Sequence, residues 1–432
     1  MYFDFDELVS NYGTKTAVIV EGEKFNYDEL AQYARELLKQ YSFKKKYIVL
    51  IADESLLFIA QFIAQFIATH YAKRVPVVIS KHDVDRIDKI LLRVANQWQF
   101  ITDHDNNDND QQYNDNNYLF CGATSGTTGT PKIYQRNWQS WQRGFEICNE
   151  IYKLDEYCFL TTTSPMSTSL GMHTLLLSLY LGKAFQIFNK SSKQTSGIKT
   201  LLFTVPTYLS SGIKYELNYY NILGVVSCGG EISNQLVAKW RAQHPQIKLY
   251  ELYGSSETSL VAWQLLNRGK KDGCVGQLFP AVNVSFTNNE ELIVQSPYLF
   301  SGYIGDDFRN SVITDDVGTL QNNLLFIHAR KSDVINHGGN KVYPSEIEKY
   351  LQKYLNEVVV FGAPNVIYGE NIIVMTTTHL IDTEKLDKIL ANVLPAYKLP
   401  SKYISVDKIP KTDNNKISRQ QILYLYEQGK IQ

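Results

Sequence analysis

The sequence predicts an α/β fold: a large N-terminal domain of α/β sheets containing a small β-rich subdomain, followed by a small α+β C-terminal domain. Three observations carry this. Apolar runs of strand length, Tyr47–Ile51 and the VPVVIS stretch within Lys73–Ser80, are each followed by a helical pattern, and such alternation favours a mostly parallel sheet covered by helices. Residues 273–303 change texture to short runs such as ELIV and SPYLFSGY between turn residues, which suits a compact β subdomain. The segment after Asp333 holds strands and helices of its own. With 432 residues in all, the chain has room for two or three domains of about 150 residues each.

Taken in order, Asp53 or Ser55 is placed to cap a helix over Leu56–Ala68, LLFIAQFIAQFIA. At 13 residues, with Gln61 and Gln65 on one stripe, that helix is too short and too polar to cross a bilayer of about 30 Å. An amphipathic helix is expected over Val84–Gln97. Asp103–Asn117 is a low-complexity patch whose acid spacing loosely resembles a calcium loop. It lacks the glycine at the sixth position and the closing glutamate that such a loop needs, so it reads as a solvated surface loop. Tyr118–Cys121 and Lys132–Arg136 read as strands, as does Ile222–Ser227. Near the end, Pro344 opens a helix with Glu346 and Glu348 close to its N-terminal dipole. The strands Glu357–Phe361 and Ile372–Thr378 follow, then a helix over Thr383–Leu394 stopped by Pro395. The polar run after Leu324–Ile327 sets the boundary: a domain over 1–329, a hinge over 330–333, and a second domain over 334–432.

Composition narrows the function. Lys and Arg number 43 against 44 Asp and Glu, a formal charge of −1, and without a basic excess no nucleic-acid partner is implied. The five cysteines are scattered with no CxxC, the usage of a reduced, cytoplasmic protein with neither a disulfide frame nor a zinc site. The opening MYFDFDE is acidic and lacks the basic start of a signal peptide.

The densest chemical signal is Thr124-Ser125-Gly126-Thr127-Thr128-Gly129-Thr-Pro-Lys132. Its glycines permit positive φ, so consecutive N–H groups can converge on an anion, and Lys132 adds a point charge. It is not a Walker A loop, which runs from a strand into a helix and ends in GK[ST]. Further along stand Ser227-Cys-Gly229-Gly230-Glu231, Tyr253-Gly254-Ser255-Ser256-Glu257-Thr, Thr314-Asp-Asp316-Val-Gly, Arg330-Lys-Ser332-Asp, Gly338-Gly339-Asn-Lys, and Pro410-Lys-Thr-Asp-Asn-Asn-Lys416-Ile. In this order the motifs closely resemble those of the ANL superfamily of adenylate-forming, AMP-binding enzymes, over nearly the whole chain.

The resemblance implies an acyl-CoA synthetase, an acid–thiol ligase that uses ATP, Mg²⁺ and CoA, with a C-terminal domain that swings between two half-reactions. It implies that Thr124–Gly129 and Lys132 hold the β- and γ-phosphates. Tyr253 would stack on adenine with Gly229, Gly230 and Glu231 opposite, beside Gly254, Ser255 and Ser256. Glu257 would hold the metal, Asp316 the ribose hydroxyls, and Arg330 the ribose–phosphate region. Lys416 would be catalytic, offsetting the repulsion between a carboxylate and the α-phosphate. Gly338 and Gly339 would line the pantetheine passage, and Ser332 would sit at the hinge.

Some positions depart from the common pattern: Asp315 and Ala329 stand where glycine is usual, Ser332 where an acid or lysine is, and Asn415 where glycine precedes the last lysine. Thr168 takes the place of a larger gate residue at the acid pocket. The stretch TTTSPMSTSLGMH lacks the aspartate that amino-acid-activating relatives use, so an aliphatic or aryl acid is expected in a neutral pocket near Thr168 and Ser227. His173 is read as core. Two alternatives remain open, an enzyme that loads an acyl carrier protein and a degenerate nucleotide-binding paralogue.

Overall fold

The computed structural model describes the chain except at residues 1–2, 42–43, 68–73, 95, 103–117, 125–131, 189–197, 212–220, 307–308, 412–416 and 432. The chain divides into two compact units, Met1–Asn283 with Val294–Val312, and Val284–Ile293 with Ile313–Gln432.

The first unit is built on two sheets. In the larger, the strands Lys248–Tyr253, Ile222–Cys228, Thr200–Thr204, Phe159–Thr162, Ala184–Ile187 and Thr16–Val20 lie side by side, all parallel. Antiparallel strands flank this core, Ala262–Leu265 and Cys274–Leu278 on one side and Glu23–Asn26 on the other. Leu201, Leu202, Phe203, Val225 and Val226 are fully buried, as continuous apolar runs must be when helices cover both faces. The smaller sheet runs Trp98–Phe100, Tyr47–Ile51, Val75–Ile79, Tyr118–Thr124 and Lys132–Asn137. Its last two strands, where the sequence predicts strands on either side of the glycine–threonine loop, pair antiparallel.

The helix Leu56–Ile67 follows its strand as the sequence predicts, and the Ser55 hydroxyl caps it by accepting from the Phe58 N–H at 3.1 Å. Gln61 is buried and donates to the Tyr41 hydroxyl at 2.9 Å, which satisfies a polar group inside an apolar helix. No described helix is long and apolar enough to cross a membrane. The expected helix over Val84–Gln97 is a correction: the segment forms successive tight turns, Lys81–Arg86, Ile87–Ile90 and Leu92–Val94. Asp83 accepts from the Ser80 hydroxyl at 2.7 Å and from Arg86 at 2.6 Å, so side-chain bonds set a 3₁₀ turn where α-helix would begin.

In the second unit Asn340–Val342, Ile335–His337, Gly369–Thr376 and Val358–Asn365 form a sheet, with Lys402–Ser405 parallel to Gly369–Thr376. The helix Pro344–Leu351 packs Ile347 and Leu351 onto a core with Val358, Val360, Val374 and Leu386. The helix Thr383–Ala391 takes its cap from Asp382, which accepts from the Lys385 N–H at 3.1 Å.

Candidate active site

Neighbouring parallel strands of the first unit end at Thr162, Thr204, Cys228 and Tyr253, and in open α/β sheets ligands bind beyond such carboxyl ends. The sheet therefore brings together Thr168, Ser227, the Gly229–Glu231 turn and the Tyr253–Glu257 loop. Thr163 and Thr204 share a hydroxyl hydrogen bond of 2.7 Å across adjacent strand ends. Ser227 is fully buried, and its hydroxyl finds no hydrogen-bond partner among the described residues. The Thr168 hydroxyl caps the helix Ser169–Tyr180, accepting from the Gly171 N–H at 3.1 Å and donating to the Pro165 carbonyl at 2.7 Å. Its polar atom is thus committed to the helix.

The Gly229 backbone has φ +80°, a left-handed conformation that glycine adopts without strain. Beneath this turn lies a pair that the sequence reading missed. Glu251 accepts from Lys270 at 2.6 Å, from Gln264 at 2.6 Å and from the Ile232 N–H at 3.4 Å. The Lys270 and Glu251 side chains are only 1% and 3% exposed. Glu251 stands opposite Ser227 on one strand and Gln264 on another, so the cluster fastens the residues just after Gly230–Glu231 to the sheet. The one available signal was a lone acid inside the apolar run KLYELY. Lys270→Met is expected to destabilise the protein by about 3–5 kcal/mol, because it leaves Glu251 buried without its cation. Urea unfolding checks this, and an unchanged midpoint contradicts it.

The Tyr253–Thr258 loop is held by its own hydroxyls. Ser255 Oγ accepts from the N–H groups of Glu257 and Thr258, each at 3.1 Å, and Thr258 Oγ1 accepts from the Ser255 N–H at 3.0 Å. From below, the fully buried Arg136 donates from Nη1 to the Tyr298 carbonyl at 2.8 Å and from Nη2 to the Ser256 carbonyl. Burial lowers its pKa to about 10, which leaves it cationic at neutral pH.

Thr124 and Lys132 are register partners at the neck of the hairpin, where Thr124 Oγ1 donates to the Lys132 carbonyl at 3.2 Å. Ser125, Gly126, Thr127, Thr128 and Gly129 lie outside the described residues, as do the Asp103–Asn117 patch, Asn415 and Lys416. The exposed Lys132 ammonium lies 5.2 Å from the centre of the Tyr303 ring, whose hydroxyl donates to Glu257 Oε1 at 2.7 Å. The end of the glycine–threonine loop and the Glu257 carboxylate thus meet on one tyrosine.

In the second unit Asp316 and Arg330 are antiparallel register partners with Nε and Oδ1 3.7 Å apart. The Lys331–Asp333 turn is flanked by ion pairs, Lys331 with Glu291 at 2.8 Å and Asp333 with Arg419 at 3.0 Å, while Ser332 is exposed between them. Gly338 and Gly339, at φ +58° and +78°, make the two-residue turn between Ile335–His337 and Asn340–Val342. A hairpin of this kind requires positive φ at both central positions, a local reason for the glycine pair.

His173 is core. It packs edge-on against Trp141 and Phe145, with ring centroids 5.3 and 5.1 Å away. Burial, and secondarily Arg136, pull its pKa from 6.5 to about 3. A histidine whose folded pKa lies below its unfolded one adds stability above the unfolded value that is lost as pH falls toward the folded one. Between pH 7 and 5 His173 is therefore expected to cost about 2 kcal/mol, and His173→Phe should flatten that part of the pH–stability curve. An unchanged slope in thermal melts from pH 7 to 5 contradicts this.

The sequence matches the AMP-binding enzyme family over residues 46–304 and the AMP-binding enzyme C-terminal domain over 348–416. It is 30% identical to the putative long chain fatty acid-CoA ligase VraA of Staphylococcus haemolyticus, over 72% of this chain and 71% of that protein. It is 28% identical to VraA of Staphylococcus aureus over 96% of each. The fold superposes on that of o-succinylbenzoate coenzyme A synthetase from Bacillus subtilis, solved in complex with ATP and magnesium ion. The TM-score is 0.78 at 19% identity, covering 96% of this chain and 98% of that one.

Proposed function

The chain belongs to the AMP-binding enzyme family, and on that premise we propose that it is a cytoplasmic acyl-CoA synthetase of fatty acid metabolism. It joins a fatty or aryl acid to the AMP portion of ATP, then passes the acyl group to the thiol of CoA. In the first step a carboxylate oxygen attacks the α-phosphorus and the bond to pyrophosphate breaks. In the second the sulfur attacks the acyl carbon, AMP leaves with the C–O electron pair, and the thiol proton goes to solvent.

The observation that carries the reading is the meeting of Lys132 and Glu257 on Tyr303, at an edge where the Gly229–Glu231 turn and Tyr253 also end their strands. A cation at the mouth of a loop rich in N–H donors suits phosphate oxygens. A part-buried carboxylate suits a hard cation. Among the described residues no three His, Cys, Asp or Glu side chains cluster to hold an ion by themselves, so Mg²⁺ here would share Glu257 with the nucleotide's phosphates. When bound, it would offset charge on the departing phosphate oxygens. Tyr253 offers its ring to adenine, Asp316 its carboxylate to the ribose hydroxyls with Arg330 beside it, and Gly338–Gly339 a slim hairpin for pantetheine. Near Ser227 the strand ends present a buried hydroxyl and the Thr163–Thr204 pair, and the neighbouring Glu251 is already paired with Lys270, an arrangement that suits an acid without an ionic substituent.

The test is pyrophosphate release with fatty acids of graded length and with aryl acids, each followed by thioester analysis with CoA. Release that depends on the acid, with acyl-CoA formed, is the expected result. An equal response to every acid would refute the proposal, and a thioester formed only on a holo carrier protein would reassign the acceptor.

A further inference from the structure

We infer that Tyr303 is a positioning residue that ties the cation at the end of the glycine–threonine loop to the carboxylate proposed to hold the metal. The backbone fixes where it stands. Segment 301–304 pairs antiparallel with the outer strand of the hairpin: Ser301 N–H donates to Gln135 O at 2.8 Å, Gln135 N–H to Gly302 O at 2.9 Å, and Ile304 N–H to Ile133 O at 2.9 Å. Tyr134 and Tyr303 form the bridge between them. At the other end the Phe300 N–H donates to the Glu257 carbonyl at 2.8 Å, and the Phe300 ring meets the Tyr303 ring edge-on at 5.1 Å. The segment therefore joins Glu257 to the hairpin through its main chain, and Tyr303 repeats the connection through its side chain.

Its two ends do different work. The hydroxyl donates to Glu257 Oε1 at 2.7 Å, which fixes the carboxylate's orientation. The ring face attracts the Lys132 ammonium at 5.2 Å, which otherwise ends a flexible four-carbon stem. A carboxylate and an ammonium held by the two ends of one rigid ring keep a set spacing. A metal–triphosphate needs such spacing, because it must meet both charges at once. This inference rests on the reading that Glu257 faces the metal and Lys132 the phosphates.

The test uses binding of ATP to the full chain by calorimetry, in excess EDTA and across a Mg²⁺ titration. Tyr303→Phe keeps the ring and removes the hydroxyl. It is expected to raise the Mg²⁺ concentration for half-maximal ATP binding roughly tenfold, the scale of a lost hydrogen bond to a charged group, and to leave Mg²⁺-free ATP affinity unchanged. Tyr303→Leu, which loses both ends, is expected also to weaken Mg²⁺-free ATP binding roughly threefold through Lys132. A purely packing role would move both conditions together. If Glu257→Gln abolishes the Mg²⁺ dependence and Tyr303→Phe leaves it untouched, the inference is overturned and the reading of Glu257 stands. If Glu257→Gln also changes nothing, that reading falls and takes the inference with it. Should Tyr303→Leu fail to fold, the near-isosteric Tyr303→Phe decides alone.

Discussion

Lys416→Ala is expected to lower acyl-adenylate formation by about 10²–10³-fold, the range for removing one preorganised electrostatic group, while thioester formation from supplied acyl-adenylate stays within a few-fold of the parent. The asymmetry follows from charge. Only the first step brings two anions together, a carboxylate and an α-phosphate, and an ammonium bridging them gains most as charge shifts onto the bridging oxygens. In the second step the acid has already lost its charge to the anhydride, so that cation has less to offset. Lys416 lies outside the described residues; of the residues next to that segment, Ile417 bridges antiparallel to Lys411, and Lys411 is paired with Glu357 at 2.7 Å. Lys411→Ala is the control, since a part-exposed ion pair contributes little. Pyrophosphate–ATP exchange reads the first step, and AMP release from synthetic acyl-adenylate reads the second. Equal losses in both would remove Lys416 from its assigned role.

The parts of the fold that were legible in the sequence are those specified by local chemistry. Continuous apolar runs such as Tyr47–Ile51 and Ile222–Ser227 form buried parallel strands because helices cover both faces. The glycine and hydroxyl motifs mark the strand ends because tight turns and backbone donors need those residue types. Local periodicity misleads at Val84–Gln97: buried Ile87, Ile90, Leu91 and Val94 satisfy a helical spacing, and a series of tight turns satisfies it equally. The site's supports were illegible for a different reason. Lys270 meets Glu251 from a loop 19 residues further on, and Arg136 reaches Ser256 and Tyr298 across 120 and 162 residues. Tyr303 reaches Glu257 across 46. A lone lysine, arginine or tyrosine in a sequence carries no mark of such a partner. The Gly338–Gly339 pair shows the converse, a motif with one sufficient local cause, its turn, before any ligand is considered.

Gly254→Ala is expected to abolish both half-reactions and ATP binding while the rest of the protein folds. A Cβ at Gly254 would lie 1.6 Å from the Ser259 carbonyl oxygen, far inside van der Waals contact and against backbone that cannot swing aside. The Ser259 N–H also donates to the Ser255 carbonyl at 2.9 Å. Any opening that relieves the overlap must therefore break the turn that sets Ser255, Ser256 and Glu257. Misplacing groups by about 1 Å costs about 10²-fold in rate, and this change displaces Tyr253, proposed to stack on adenine, together with Glu257, proposed to hold the metal, so kcat/KM should fall by more than about 10³-fold. Gly230→Ala is the contrast. Its added carbon would meet Pro206 at 3.6 Å, an ordinary contact, and activity should stay within a few-fold. If the two variants behave alike, close packing under Tyr253 is not what the reaction depends on; a steep loss confined to Gly254 ties catalysis to the shape of that one turn.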